Sequence, residues 1–443
     1  MNRAPEIELW ILLCTVAFFW LVILLRCNRL SLGLPIAYLF SLLLIHVPGA
    51  FVQLVTDQFA YDAEPVEIGI HFTAIGALCF ALGVQIACYL NADTSIYPYV
   101  QRRKFWYFCL IGGLVVQFGL GALYNLPSIR ATLDRGSGVW MLGALLGLRF
   151  ALSSGNILEV AIWSTAALIP PILIFLLAGF LSYGSAALIV VAGALVISVR
   201  SRSKLIIATA LGTFVGLTIF VNYFAHRVEF RQIAWSGASM DERISAAAQV
   251  FSSFEWLDPS NEKQLFALDQ RLNQNYFVGL AAKRIEQEQV SYLYGRSIWE
   301  AVIALVPRAL WPDKPVFGGS GTIVADMTGL KLEEDRTSWG VGNVMEFQIN
   351  FGTPGVMVGF LILGYLLGLL DYKAASAEAR GDLGKLILFF LVSVALIQPG
   401  SSLVEMAGGS AAAVVAAYVW NWLWQIWSRR SKRAASREFA AAR

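Results

Sequence analysis

Charge is scarce in this chain. Of its 443 residues only 14% are Asp, Glu, Lys or Arg, where a soluble globular protein carries roughly a quarter. So little charge cannot keep a surface in water, which excludes a soluble enzyme and a disordered tail protein. Cysteine is equally sparse. Cys14, Cys27, Cys79, Cys88 and Cys109 lie in or beside apolar runs without a C-x-x-C pair. They read as small hydrophobes and not as a disulfide framework, a zinc site or a redox motif. No internal repeat is visible, which argues against an inverted-repeat transporter. No basic stripe with interleaved aromatics suggests nucleic acid. Gly318-Gly-Ser-Gly321 lacks the G-K-[ST] of a P-loop and reads as a flexible turn. The Asp-x-Asp of a nucleotide-sugar donor site is missing. So is a cleavable signal, because Arg3 is offset by Glu6 and Glu8 and no small-residue cleavage site follows.

Apolar residues are abundant: 57% of the chain is hydrophobic and the mean hydropathy is +0.63. A spanning helix needs about 20 apolar residues, so about ten or eleven spans fit. Clear runs occupy 9–25, 34–55, 68–90, 105–124, 157–181, 185–199, 205–223, 344–370, 386–404 and 410–427. Basic loops at Arg26/Arg29, Arg102–Lys104, Arg200–Lys204 and Lys373–Lys385, with the basic tail, mark one side as cytoplasmic. Parity between 104 and 200 requires one more crossing, and 139–154 is the candidate. Arg149 within it either snorkels to headgroups or lines a re-entrant hairpin. The fold class expected is an all-α polytopic membrane protein of about eleven transmembrane helices. Its N-terminus lies outside and its C-terminus inside. Residues 1–223 form an N-terminal bundle, 224–343 a large, partly helical external loop, and 344–443 the last spans and the tail.

The external loop holds half of the 30 acids. Apolar spacing predicts helices over 240–255 and 262–288. The segment 294–315 has an apolar centre too short to span, bracketed by Trp299 and Trp311, which suits a helix lying in the membrane interface. Pro307 and Pro312 end it and leave Arg308 and Lys314 at phosphate level, where a guanidinium can grip phosphate in two places. Contact with ordinary lipid headgroups is the plainer reading of the same cations.

The string VPRALWPDKP from Val306 to Pro315 resembles the signature of bacterial oligosaccharide repeat-unit polymerases, the Wzy-type O-antigen and exopolysaccharide polymerases. Three further stretches are similar to that family. Leu268-Asp-Gln-Arg-Leu272 looks like its arginine-bearing helix. Met345–Gly355 matches its E-x-x-x-N-F-G-x-x-G entry into the next span, and Arg200-Ser-Arg-Ser203 its short cytoplasmic turn. The resemblance covers roughly residues 195–370. It implies a helical bundle like those of GT-C glycosyltransferases in a bacterial inner membrane. It also implies transfer of a growing glycan from undecaprenyl pyrophosphate to the next lipid-linked repeat unit on the periplasmic face. A chain-length regulator and a flippase would be partners of such a system. An O-antigen ligase or a lipid-linked oligosaccharide flippase is the alternative.

In that reading arginines stabilise the departing pyrophosphate: Arg308 first, then Arg271, Lys314 and Arg296, with Arg149 as a further binding residue. Glu346, at the outer edge of a span, is the candidate base, or else the partner of a loop arginine. His226 competes as base, or is simply packed between Phe224 and Arg227. Tyr276, Tyr292, Trp311 and Trp339 are placed to stack on sugars. Asp62-Ala-Glu64 reads as a solvated acidic loop, with oxygen ligands for Mg²⁺ or Mn²⁺ as the alternative, and neither a metal nor another cofactor is expected. Glu405 either caps its helix or lines the cavity.

Overall fold

A computed structural model describes residues 4–441 except 29, 57–58, 92–101, 121–122, 124–126, 200, 253, 307–310, 312, 316, 318 and 332–339. It is 82% helical, with no strand among the described residues. The first half contains α1 (Ala4–Cys27), α2 (Leu34–Leu44), α3 (Val47–Val55), α4 (Ala63–Leu90) and α5 (Arg103–Gly119). It continues with α6 (Pro127–Ser137), α7 (Val139–Ser154), α8 (Ile157–Ala178), α9 (Leu181–Ser198) and α10 (Arg202–Trp235). The loop region forms α11 (Met240–Ser252), α12 (Glu262–Arg271), α13 (Asn275–Glu286), α14 (Arg296–Ala304) and α15 (Ser320–Thr328). The chain closes with α16 (Asn343–Arg380), α17 (Leu383–Leu396) and α18 (Leu403–Ala441).

Among the described residues, eight helical segments are long and apolar enough to cross a membrane: Glu6–Cys27, Leu34–Val55, Ala63–Leu90, Ile129–Ser154, Ile157–Ala178, Ser203–Trp235, Asn343–Arg380 and Leu403–Arg429. Each of the eleven apolar runs is helical over most of its described residues, but fewer than the expected eleven reach that length among them. The 14 residues of α17 extend only about 21 Å, against a hydrocarbon core of about 30 Å. The run at 139–154 grows into the segment Ile129–Ser154, 78% of whose most apolar stretch is buried. Arg149 lies near its end and pairs with Glu378 at 3.1 Å, which favours the helix-end reading over a re-entrant hairpin. The predicted helix over 262–288 is broken at 272–274 into α12 and α13. The glycine-rich turn is corrected as well: Gly319 caps α15, so Ser320 and Gly321 begin a helix.

Helices α4 and α16 form the centre, where Phe80, Val84, Phe360 and Leu367 are fully buried. The loop is built onto the bundle, for Val278, Ala281, Val324 and Met327 share this core. Ion pairs gather one end of the molecule: Arg103 with Glu159 at 2.9 Å, Arg149 with Glu378, and Lys385 with Asp382 at 2.8 Å. There the buried Asp371 carboxylate also accepts the Leu32 and Leu34 N–H groups at 3.0 and 3.1 Å, fixing the start of α2.

At the opposite end two spans are broken. Between α2 and α3 the chain departs from the helix at Ile45–His46, ahead of Pro48, and α16 departs at Phe351–Gly352, ahead of Pro354. Gly352 takes φ +62° there. Backbone groups released this way must find partners away from water, and the loop supplies them. Gln274 donates its N–H to Ile45 O at 3.0 Å, and Leu272 O accepts from Gly49 at 3.0 Å. The Asn275 amide donates to His46 O at 2.7 Å and its oxygen contacts His46 Nδ1 at 2.7 Å. At the second break Leu293 donates to Ile349 O at 2.9 Å. The Asn350 oxygen accepts from Gly295 N–H at 2.9 Å, and its amide donates to the Ser297 hydroxyl at 2.8 Å. Gly49 and Gly69 flank the inserted Asn273–Asn275 so closely that a Cβ on either would overlap that segment.

Asn275→Ala removes a fully buried amide serving His46 O, the His46 ring and the Thr73 hydroxyl. It is expected to destabilise the protein by about 2–4 kcal/mol, read as a lower midpoint in tryptophan-fluorescence thermal unfolding of the detergent-solubilised chain. An unchanged midpoint would refute the account of the broken span.

Candidate functional site

With 34 residues α10 is one of the longest helices, about 51 Å, so its last turns stand clear of a hydrocarbon core of about 30 Å. Arg227 and Arg231 sit there, one turn apart. Arg231 Nε donates to the Tyr223 hydroxyl at 3.1 Å, and that hydroxyl donates to Gly179 O at 2.7 Å, tying α10 to the end of α8. The Arg231 guanidinium covers the Phe180 ring at 4.3 Å. The Phe224 ring carries two guanidiniums, Arg227 at 4.1 Å and Arg271 at 5.4 Å. Arg271 feels the charge of Arg231, and Arg227 that of both. None of the three forms an ion pair with a carboxylate among the described residues, and the buried Nε of Arg271 has no hydrogen-bond partner. Like charges left unpaired in a partly dry site repel one another. An anion with several oxygens would relieve that repulsion and meet the free N–H groups.

The position of Arg271 follows from α12. Asn261 caps this helix, accepting from the N–H groups of Lys263 and Gln264. Leu265, Leu268 and Leu272 pack on Val52 and Val221. The neighbouring Asp269 is fully buried and accepts from Ala60 N–H at 2.7 Å, Tyr61 N–H at 3.3 Å and the Asn273 amide at 2.6 Å. Burial raises the pKa of Asp269 despite these bonds, which act to lower it. Burial lowers that of Arg271 and raises that of Tyr61, whose ring lies in the field of Arg271. Tyr61 stacks on Tyr276 with centroids 4.2 Å apart. Tyr276 in turn lines a cavity of about 910 Å³ with Asp62, Glu64, Lys283, Arg284 and Gln289. Lys283 pairs with Glu64 at 2.6 Å across it. The arginines, the tyrosine pair and the cavity therefore form one continuous polar face.

The residues expected from the sequence divide. Arg271 joins the cluster, and His226 is adjacent to it on α10, with Nδ1 3.9 Å from Glu229. Arg308, the first choice, and Trp339 lie outside the described residues. Lys314 Nζ donates to Val306 O at 2.9 Å and closes the end of the α14 segment. Arg296 is exposed and pairs with Glu300 at 3.0 Å on its own helix. Trp299, on α14, and Trp311, beyond its end, are both exposed. Tyr292 lies beside Gly352 at the second helix break. Arg149 is a correction: its partner Glu378 is roughly 45 Å along α16 from Glu346, so it belongs to the other end of the bundle. Among the described residues no group of three or more His, Cys, Asp or Glu side chains is placed to hold a metal ion.

Glu346 is fully buried, and its Oε2 accepts from Leu403 N–H at 2.7 Å at the start of α18. A carboxylate suits a helix N-terminus, where N–H groups lack partners. Ser402 and Glu405 complete that start reciprocally: Ser402 N–H donates to Glu405 at 3.0 Å, and Glu405 N–H to the Ser402 hydroxyl at 3.2 Å. Glu405 thus caps its helix, and it also accepts from Ser320 on α15 at 3.1 Å. The charged neighbours of Glu346 are Glu405 and Glu300, and no loop arginine pairs with it among the described residues. Sequence reasoning missed Arg227, Arg231, Tyr61 and Asp269. The available signal was two arginines one turn apart beside Phe224, beyond the end of an apolar run.

A family model described as a domain of unknown function (DUF8712) matches residues 69–400, well over half of the chain, and the protein belongs to that family. No curated protein and no solved structure matches. The matched range contains Arg227, Arg231, Arg271 and Glu346.

Glu346→Gln keeps an acceptor for Leu403 N–H and is expected to unfold close to the unsubstituted protein. Glu346→Ala leaves that N–H unpaired and is expected to cost about 2 kcal/mol. Thermal unfolding of the two purified variants checks this, and equal midpoints would remove the capping role.

Proposed function

We propose that this protein is a lipid-linked-donor glycosyltransferase. It joins undecaprenyl-pyrophosphate-linked oligosaccharide repeat units into a surface polysaccharide at the periplasmic face of a bacterial inner membrane. The observation that carries this reading is the convergence of Arg227, Arg231 and Arg271 without carboxylate partners. They lie at the bundle end opposite the basic loops. Basic loops face the cytoplasm, so the cluster faces the periplasm, with the N-terminus there and the C-terminus inside. The resemblance at Leu268–Leu272, Val306–Pro315 and Met345–Gly355 supports the same chemistry.

In this reading the acceptor sugar's hydroxyl attacks the anomeric carbon of the donor glycan. The bond from that carbon to the pyrophosphate oxygen breaks, and undecaprenyl pyrophosphate departs with the electron pair. The three guanidiniums hold the charge that gathers on the leaving oxygen. The hydroxyl proton passes to His226, next to Arg227. Glu346 contributes by positioning α18. Tyr61 and Tyr276 offer sugar-stacking faces between the arginines and the cavity.

Purified protein supplied with a synthetic lipid-linked repeat unit is expected to produce a ladder of polymer lengths. Arg271→Ala should lower the rate by about 100-fold or more, the scale of losing one charge-stabilising donor. The exposed Arg296→Ala should stay within about twofold, since a surface ion pair contributes little. Transfer only to a lipid A core acceptor would make the protein a ligase. Movement of the lipid between leaflets without new linkages would overturn the enzymatic reading.

A further inference from the structure

The basic end carries a second concave site, between the last turns of α16 and the first turns of α17. It has a volume of about 350 Å³ and is lined by Lys373, Arg380, Lys385, Ser376, Tyr372 and Phe389 among others. The nearby acids are already engaged. Glu378 pairs with Arg149, and Asp382 with Lys385; the hydrogen bond from Lys385 holds the Asp382 carboxyl below its usual pKa. Lys373 has no carboxylate partner among the described residues, and its ammonium stands 5.7 Å from the Phe389 ring centroid. The Arg102 guanidinium lies against Gly381, in the turn between the two helices, and adds positive charge there.

Depth distinguishes this pocket from an ordinary basic loop. Arg380 and Lys385 flank the turn, whereas Lys373 and Phe389 lie roughly 10 Å deeper along their helices. The mouth is therefore cationic, and the deeper floor sets one further cation, Lys373, against the Phe389 ring. A free phosphate would use only the mouth. A phospholipid fills both levels, its phosphate oxygens among the cations and its glycerol and first acyl carbons against Tyr372 and Phe389. We propose that this pocket binds an anionic phospholipid of the leaflet at the basic end. The proposal is independent of the glycosyltransferase reading.

Full-length protein in neutral detergent would be titrated with phosphatidylglycerol, phosphatidylcholine or inorganic phosphate, and retained lipid counted by native mass spectrometry. Phosphatidylglycerol should be retained in preference to phosphatidylcholine and survive a 100-fold excess of inorganic phosphate. Lys373→Gln, an exposed change that leaves the core intact, should weaken retention about fivefold, and Lys373→Gln with Arg380→Gln more than tenfold. Lys204→Gln with Arg429→Gln, at the same end but outside the pocket, should change it less than twofold. Equal losses in the two double variants would reduce the effect to diffuse surface charge and overturn the proposal. Equal retention of phosphatidylcholine, or displacement by inorganic phosphate, would overturn it as well.

Discussion

A backbone carbonyl or N–H freed inside a membrane-embedded bundle has no water to turn to, and this constraint organises the half of the protein that carries the long loop. Two spans are broken, at Ile45–His46 and at Phe351–Gly352. Each break is repaired by a segment of the same loop: 272–275 repairs the first and 293–297 the second. The loop is consequently a fixed part of the bundle. Because α12 is held by the first repair, Arg271 arrives at α10 in a determined place. Because α14 is held by the second, the tryptophan-bearing face is presented at the bundle's rim. Glycines at 49 and 69 are needed where the inserted backbone comes closest.

The two ends handle charge in opposite ways. At the basic end Arg103, Arg149 and Lys385 each meet a carboxylate, and Asp371 is spent on the start of α2. At the other end Arg227, Arg231 and Arg271 meet aromatic rings and one another. Aromatic faces attract cations but do not neutralise them. The three ion pairs at the basic end are stable by themselves, apart from the pocket around Lys373, while the arginine cluster has capacity for an anion. That contrast, more than the number of arginines, separates a structural set of charges from a binding one.

Legibility varied with the kind of signal. The helical segments could be read because long apolar runs leave few alternatives in a membrane. Breaks within spans were harder to see. Pro48 and Pro354 are visible, yet proline alone does not say which loop residues will satisfy the freed groups. The motif around Asn350-Phe-Gly352 could be quoted from the chain, but its work as a splice between α14 and α16 depends on residues more than fifty positions away. Glu346 is half legible. Its place at a span's edge suggested a base, but its partner at the start of α18 lies 57 positions downstream.

What the sequence alone determined was composition-level physics: a helical chain with too little charge for water, a basic side, and one charged loop on the other. Hydrophobic run length and charge bias are local properties, so they survive without coordinates. Only the tertiary structure decided which charges compensate and which remain open. It sent Arg149 to Glu378, Lys314 to a helix end and Glu346 to a cap, and it gathered Arg227 and Arg231 around Arg271. Pairing depends on distances between residues far apart in the chain. Those distances are set here by how the loop satisfies the broken helices.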